Sequence, residues 1–543
     1  MPFVRVAAAQ IEAGQDVAEN LAACLRVIDS AAEQGAQLVV LPEFCNHLSW
    51  YPSRTRAHEL ATRTGDAFLT AIADRARFHG IWIKINVTFA YAGGRTGGTN
   101  LLVDPSGAIA GQCDKQTLMG AENDFLEPGA SIGPVVDTPL GRLGMYACME
   151  GVINEVARGL ALRGAQVLLN SLNSFALDEA DLHIPVRAAE NKVWVVAANK
   201  VGPLLPRDEL PAIAERLGVP PEWLHGAGES QIVAPDGTVL AKAPRTGEAV
   251  VVADIDPSAA DDKRRPDGTD IFASRRPEIY GPIAAPPVGR RRPPGAASLP
   301  VAVVRDIEHV REAALAGAEL IVLPEGTGTT EEIAAALRGT TSHAVTSTAD
   351  EGVLIREDGL VSRQPRLHGI GAGAGTGAGV GVGAGTGVGV GVGAGKEITP
   401  MDLPWGRLAI IAGDDALYPE TFRLAALLDV DVVAVPYSAQ EHWELALGLP
   451  ERAAENRLNL VVATPLDQPA AILAMTPDFT LWTRWEGPFT GRISTPIRFD
   501  VPAGCPSGAA SVAPAQAANR LVSRNTDLVD GRPWRLVGAL TAP

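Results

Sequence analysis

The chain has 543 residues, 46 % of them hydrophobic and 20 % charged. That is material for two domains of the ordinary size of about 100–250 residues, each with a buried core. A formal net charge of −17 argues against nucleic acid as a partner, because phosphate binding needs clustered Lys and Arg. The five cysteines, Cys24, Cys45, Cys113, Cys148 and Cys505, are scattered and odd in number, which suits a reducing cytoplasm better than a disulfide framework or a zinc site.

The opening Met1–Val6 is too short and too soon interrupted to read as a signal peptide. No apolar run reaches the roughly 18 residues of a membrane helix. Val4 to Ala8 reads as a short strand, and Leu21, Leu25, Ile28 and Ala32 recur at helical spacing up to a terminating Gly35. Leu38–Leu41 is a second, buried strand. It delivers Glu43 to its C-terminal end, where open α/β sheets gather their chemistry. Asp104-Pro-Ser-Gly107 marks a turn between two strands, with Lys115 after the second of them. At Leu143–Ala147 another strand ends on Cys148, and Ile153, Val156 and Leu160 then form a helical stripe closed by Gly164 before the strand Gln166–Leu169. A further hairpin turns at Pro235-Asp-Gly237.

From there the chain repeats itself. Gly35–Glu43 (GAQLVVLPE) returns as Gly317–Glu325 (GAELIVLPE), and Gly141–Cys148 (GRLGMYAC) as Gly406–Gly413 (GRLAIIAG). Arg187–Asn191 (RAAEN) returns unchanged as Arg452–Asn456. Three matches in one order indicate a tandem duplication. The expected division is a first domain over 1–282, a Pro- and Arg-rich linker over 283–299, and a second domain over 300–543. Within the last, the Gly-rich run 369–395 reads as a flexible insert, since ordering so many glycines gains little burial.

Glu43, Lys115 and Cys148 form a chemical constellation. Attack on an amide or nitrile carbon needs a nucleophile, a base to ionise it, and positive charge where the anion develops. A thiol of pKa near 8.5 needs such help at neutral pH. Taken singly, each residue has a plainer reading: a small buried hydrophobe for Cys148, a capping carboxylate for Glu43, a surface cation for Lys115. HExxH and GxxxxGK[ST] are absent, which leaves no support for a zinc protease or a phosphate loop.

The ordered set Leu41-Pro-Glu43, Lys115–Leu118 with Glu122 and Glu127-Pro-Gly129, Gly141–Glu150 with Glu155 and Arg158, Arg187–Asn191, Ser230–Gly237 and Arg275–Tyr280 resembles the nitrilase superfamily of carbon–nitrogen hydrolases over residues 3–282. The resemblance implies an α/β fold, a four-layer αββα sandwich in two tandem copies. It implies Cys148 as nucleophile, Glu43 as general base and acid, and Lys115 stabilising the tetrahedral intermediate with the backbone N–H of Met149. Glu122 matches the family's additional glutamate, and neither cofactor nor metal is called for. Nitrilases proper usually show Cys-Trp-Glu, whereas this chain has Cys148-Met149-Glu150. A small linear amide or N-carbamoyl compound is therefore expected ahead of a nitrile, with a non-catalytic scaffold as the reading from another class. Acyl transfer at a membrane and an ammonia-feeding glutaminase are disfavoured by the missing spans and the missing ATP motif.

Arg187 and Glu190, repeated in the second copy, read as architecture, and Arg275–Tyr280 as an anchor for the first domain's tail. Cys24 and Cys45 read as core. Specificity is expected from the loops 46–55, 173–184 and 203–225. In the second copy Glu325 and Arg366 stand near the positions of Glu43 and Lys115, but Gly413 stands in place of Cys148. No catalysis is expected there, and the copy is expected to serve as a built-in dimer partner.

Overall fold

The computed structural model describes residues 3–368 and 395–542, so nearly all of the Gly-rich run 369–395 lies outside the described residues. The chain forms two compact units that are not its two halves. One comprises 1–262, 478–494 and 521–540; the other comprises 263–477, 495–520 and 541–543. The boundary expected at 282 thus falls at 262, and two stretches from the far end of the sequence belong to the first unit.

In the first unit, Val4–Gln10, Leu38–Val40 and Trp82–Ala90 run parallel at the centre of a six-stranded sheet. Ala249–Ile255 joins one side antiparallel, and Thr96–Val103 then Ile109–Asp114 join the other. Alternate residues, among them Ala7, Ala9, Val39, Leu41, Ile83 and Ile85, face Val27, Ile28, Phe68 and Ile72 of the helices Val17–Glu33 and Ala67–His79. This is the period-two burial of a strand meeting the amphipathic stripe of a helix. Asp16 and Asp66 cap the two helices, and Gly80, at φ 68°, ends the second.

The second sheet repeats the scheme. Gly141–Ala147, Val167–Leu172 and Trp194–Asn199 are parallel, flanked by Val135–Thr138 on one side and by Gln231–Val233 and Val239–Lys242 on the other. The helices Glu155–Leu162 and Ile184–Ala189 cover its outer face, while its inner face meets the first sheet. The layers run helix, sheet, sheet, helix. Strands covered on both faces read as the near-continuous apolar runs seen in the sequence.

The second unit has the same strand order and sense. Its first sheet runs Ser507–Val512, Leu299–Val304, Leu320–Val322, His343–Ser347, Glu351–Arg356, Gly359–Pro365. Its second runs Met401–Leu403, Gly406–Ile410, Val432–Pro436, Asn459–Ala463, Ala470–Ala474, Ile497–Val501. In both sheets the three parallel strands keep their places. The stretch 283–299 packs within this unit: Arg290 pairs with Asp431 at 2.5 Å, and the Arg291 N–H donates to Asp429. Arg275 and Tyr280 also belong here, bonded to Glu420 and His368, instead of anchoring the first unit's tail. Among the described residues no helix is long and apolar enough to cross a membrane.

Candidate active site

Glu43 lies just past Leu38–Val40, and its N–H donates to Leu172 O at 3.1 Å, so the carboxyl ends of strands from both sheets meet at this residue. The Ser171 hydroxyl donates to Leu41 O, and Lys84 donates to the same hydroxyl from below. Burial lowers the Lys84 ammonium to about 7.

Lys115 follows the strand Ile109–Asp114. Its N–H donates to Gly98 O and its carbonyl accepts from Gly129 N, both at 2.8 Å. Gly129 allows this approach, since a Cβ there would lie 2.7 Å from Asp114 O. The Lys115 ammonium lies 2.8 Å from Glu43 Oε1, and 3.0 and 2.7 Å from the two oxygens of Glu122. Lys115 and Glu43 are fully buried, and Glu122 is 7 % exposed. Burial works against the ammonium, but Glu122 and Glu43 outweigh it and hold its pKa well above the usual lysine value. For Glu122, burial wins and the pKa rises, despite Lys115 and the Met119 N–H at 2.9 Å.

Cys148 sits between the strand Gly141–Ala147 and the short helix Met149–Val152 with φ 48° and ψ −108°. A non-glycine residue holds such a backbone only when its surroundings fix it. The Cys148 N–H donates to Ser171 O at 3.0 Å and Asn170 Oδ1 at 3.1 Å. Glu150 supplies the remaining brace, accepting from Ala147 N at 2.8 Å with one oxygen and from Gln116 N at 2.7 Å with the other. One buried carboxylate therefore ties the cysteine's elbow to the lysine's loop. Burial raises Glu150 to about 7. Arg187, paired with Glu190, donates to Gly151 O and Val152 O and so holds the turn after the cysteine. Burial and then Glu43 push the Cys148 thiol up while Lys115 pulls it down; the net shift is upward, so the resting thiol keeps its proton.

Sequence reasoning thus found Glu43, Lys115, Glu122 and Cys148, which the fold brings together, and Met149, buried directly after the cysteine. The cavity in front of Cys148, about 130 Å³, is lined by Ser49, Trp50, Asn173–Ala176, Leu204 and Leu205 from the three loops expected to set specificity. Cys24 and Cys45 lie in the core against the helices of the first sheet. Two features went unseen. Glu150 read only as part of a motif, and Leu481, Trp482, Ile493, Ser494 and Val522 line the cavity from more than 300 residues away. A signal for the latter existed: two of the chain's nine tryptophans fall at 482 and 485, in a sequence only 5 % aromatic.

The second unit keeps the scaffold of this site. Arg366 pairs with Glu325 at 2.5 Å, and Asp415, at the position of Glu150, accepts from Leu367 N and His368 N. Gly413 keeps a positive φ of 55°, and a Cβ there would lie 2.4 Å from the Arg366 guanidinium.

The family model described as carbon-nitrogen hydrolase matches residues 5–265. A protein named nitrilase from Pyrococcus abyssi is 34 % identical over 263 residues, covering 48 % of this chain and 93 % of the relative. Human deaminated glutathione amidase is 27 % identical over 300 residues, 52 % of this chain and 85 % of its own. Among solved structures, an amidase from Nesterenkonia sp. is 24 % identical with a TM-score of 0.40, over 48 % of this chain and 94 % of that one. With the motifs in order and a relative matched over nearly its whole length, the chain belongs to the nitrilase superfamily of carbon–nitrogen hydrolases.

Proposed function

We propose that the first unit hydrolyses a small linear amide or N-carbamoyl compound through a thioester on Cys148. The carrying observation is the buried Lys115 ammonium held between Glu43 and Glu122, in a fold where Cys148 opens onto a cavity from a strained elbow. In this reading Glu43 takes the thiol proton as sulfur attacks the carbonyl carbon. Lys115, with the Met149 N–H, stabilises the oxyanion. Collapse breaks the C–N bond, and Glu43 returns the proton to the leaving ammonia or amine. Water, deprotonated by Glu43, then attacks the thioester, releasing the acid and restoring the thiol. Glu122 keeps Lys115 oriented and compensated, and Glu150 keeps loop and elbow in register. The raised thiol pKa supports a base that acts during attack rather than a standing thiolate.

The second unit is read as a duplicated copy without catalysis, since Gly413 has no side chain to attack with. Hydrolysis of a nitrile is the second reading, favoured by the Pyrococcus relative's name, whereas Met149 in place of tryptophan favours the amide.

Intact-protein mass spectrometry after brief incubation with amides, carbamoyl compounds and nitriles tests this. Wild type should gain an acyl mass that Cys148→Ala lacks, and paired amide and nitrile assays should favour the amide. No adduct and no ammonia release across the whole panel would refute the proposal.

A further inference from the structure

The cavity in front of Cys148 is closed by chain from the far end of the sequence. Residues 478–494 and 521–540 belong to the first unit, and their attachment to it is specific. The Asp178 carboxylate accepts from Ile493 N at 2.9 Å, Ser494 N at 2.6 Å and the Ser494 hydroxyl at 2.8 Å. Because that hydroxyl spends its hydrogen on Asp178, the 2.9 Å contact with His183 Nε2 requires the imidazole to donate. Leu177 N donates to Gly491 O at 2.8 Å, and Arg492 pairs with Asp181. On the side of the Lys115 loop, the Thr526 hydroxyl accepts from Gly120 N at 2.8 Å and donates to Leu118 O at 3.1 Å.

So anchored, Leu481, Trp482, Ile493 and Val522 line the cavity, and Leu481, Ile493 and Val522 share one apolar cluster with Met149 and Val152 of the nucleophile's turn. Trp482 meets Phe175 edge to face at 6.1 Å and holds φ 67°. A bulky residue with that backbone is kept there by its packing. The ionisable lining residues are Glu122, Asp178, Glu179, His183 and Cys148, with no lysine or arginine among the described ones. An anionic group on the acyl chain would therefore meet no lysine or arginine of the lining, and Lys115 behind it is already paired with Glu43 and Glu122.

We propose that the segments 478–494 and 521–528 form the specificity wall of this site, selecting uncharged amides with an apolar acyl chain over amides that carry a carboxylate. This rests on the amidase reading above. The wall should act on KM more than on kcat, because it touches the acyl chain and not the reacting atoms.

The test compares wild type, Trp482→Gly and Val522→Ala in the full chain. Glycine removes the ring without straining the positive φ, and Val522→Ala is a milder cut that keeps Trp482. Acetamide, hexanamide and the monoamide of adipic acid serve as substrates. Wild type should prefer hexanamide over the carboxylate-bearing amide by at least about 10-fold in kcat/KM, the discrimination a pocket supplies for one such feature. The hexanamide-to-acetamide ratio should fall about 10-fold in Trp482→Gly and less in Val522→Ala, mainly through KM. Alkylation of Cys148 by 2-bromohexanamide relative to bromoacetamide, read by intact mass, measures the same wall without turnover. Ratios that stay at wild-type values in both variants would overturn the wall and leave the amidase standing. A wild type that hydrolyses no amide, yet shows the wall-dependent alkylation ratio, would overturn the amidase reading and support the wall.

Discussion

Replacing Lys115 with methionine tests the electrostatic core of the site. Its ammonium lies 2.8 Å from Glu43 and 2.7 Å from Glu122, with side-chain exposures of 0, 0 and 9 %. At an effective dielectric near 20, each contact is worth about 6 kcal/mol of attraction, most of it offset by desolvation. Removing one partner of such a buried pair costs about 3–5 kcal/mol, because uncompensated charge stays behind. The cost should depend on pH. Burial already raises Glu122 above its ordinary 4.5, and without the cation the two facing carboxyls are driven to share a proton. A carboxyl raised in the folded state contributes stability below its unfolded pKa and loses it as pH rises through the folded value. Lys115→Met should therefore cost its full amount at pH 8 and distinctly less at pH 5, where the unfolded carboxyls are themselves closer to protonation. Urea unfolding of the full chain by tryptophan fluorescence reads this unit, since of nine tryptophans only Trp405 and Trp443 lie in the other. Adding Glu122→Gln should restore about 2 kcal/mol at pH 8. An equal loss at both pH values, with no recovery in the double variant, would refute the reasoning.

Three further outcomes follow from the same geometry. Glu150→Gln keeps one acceptor but turns an amide N–H₂ toward a backbone N–H; steady-state kinetics should show kcat down about 10–100-fold with KM little changed, and melting should show a loss of about 1–3 kcal/mol. Cys148→Gly should be about 1 kcal/mol more stable than Cys148→Ala in denaturant titrations, reversing the usual order, because only glycine is at ease at φ 48°. Gly413→Cys should gain no acyl adduct on the new thiol and should lower the melting temperature, since its Cβ would fall against the Arg366 guanidinium.

Much of this was legible in the sequence because it is local. A strand that ends on Pro42-Glu43, a hairpin that ends on Lys115, and a strand–cysteine–helix unit each announce themselves by period and punctuation within about ten residues. The αββα layering was implied by the resemblance to the nitrilase superfamily, and the repeat showed itself in three ordered matches. What stayed hidden is long-range. Nothing in Leu481–Ser494 indicates that Asp178 will accept its backbone N–H groups, since a carboxylate's partner more than 300 residues away leaves no local pattern. The unit boundary was misplaced for a related reason: Arg275–Tyr280 reads as a tail motif, but Glu420 and His368 bury it in the second unit. Glu150 was visible only as a letter in a motif, because its role lies in two backbone N–H groups that sequence does not display.

The second unit separates what the fold needs at this site from what chemistry needs. It keeps the paired strands, the carboxylate that binds two backbone N–H groups, the Glu–Arg ion pair and the positive φ at the elbow. The positive φ of the elbow therefore does not depend on the thiol, although Asp415 binds two N–H groups of the Arg366 loop where Glu150 ties loop to elbow. With glycine at 413 the conformation carries no side-chain strain, whereas with cysteine at 148 it holds strain of about 1–3 kcal/mol. The second unit holds a positive φ at the equivalent position with glycine, and so without that strain. Under the thioester mechanism proposed above, the elbow would hold that strain to present the sulfur to the cavity, giving up stability for reactivity.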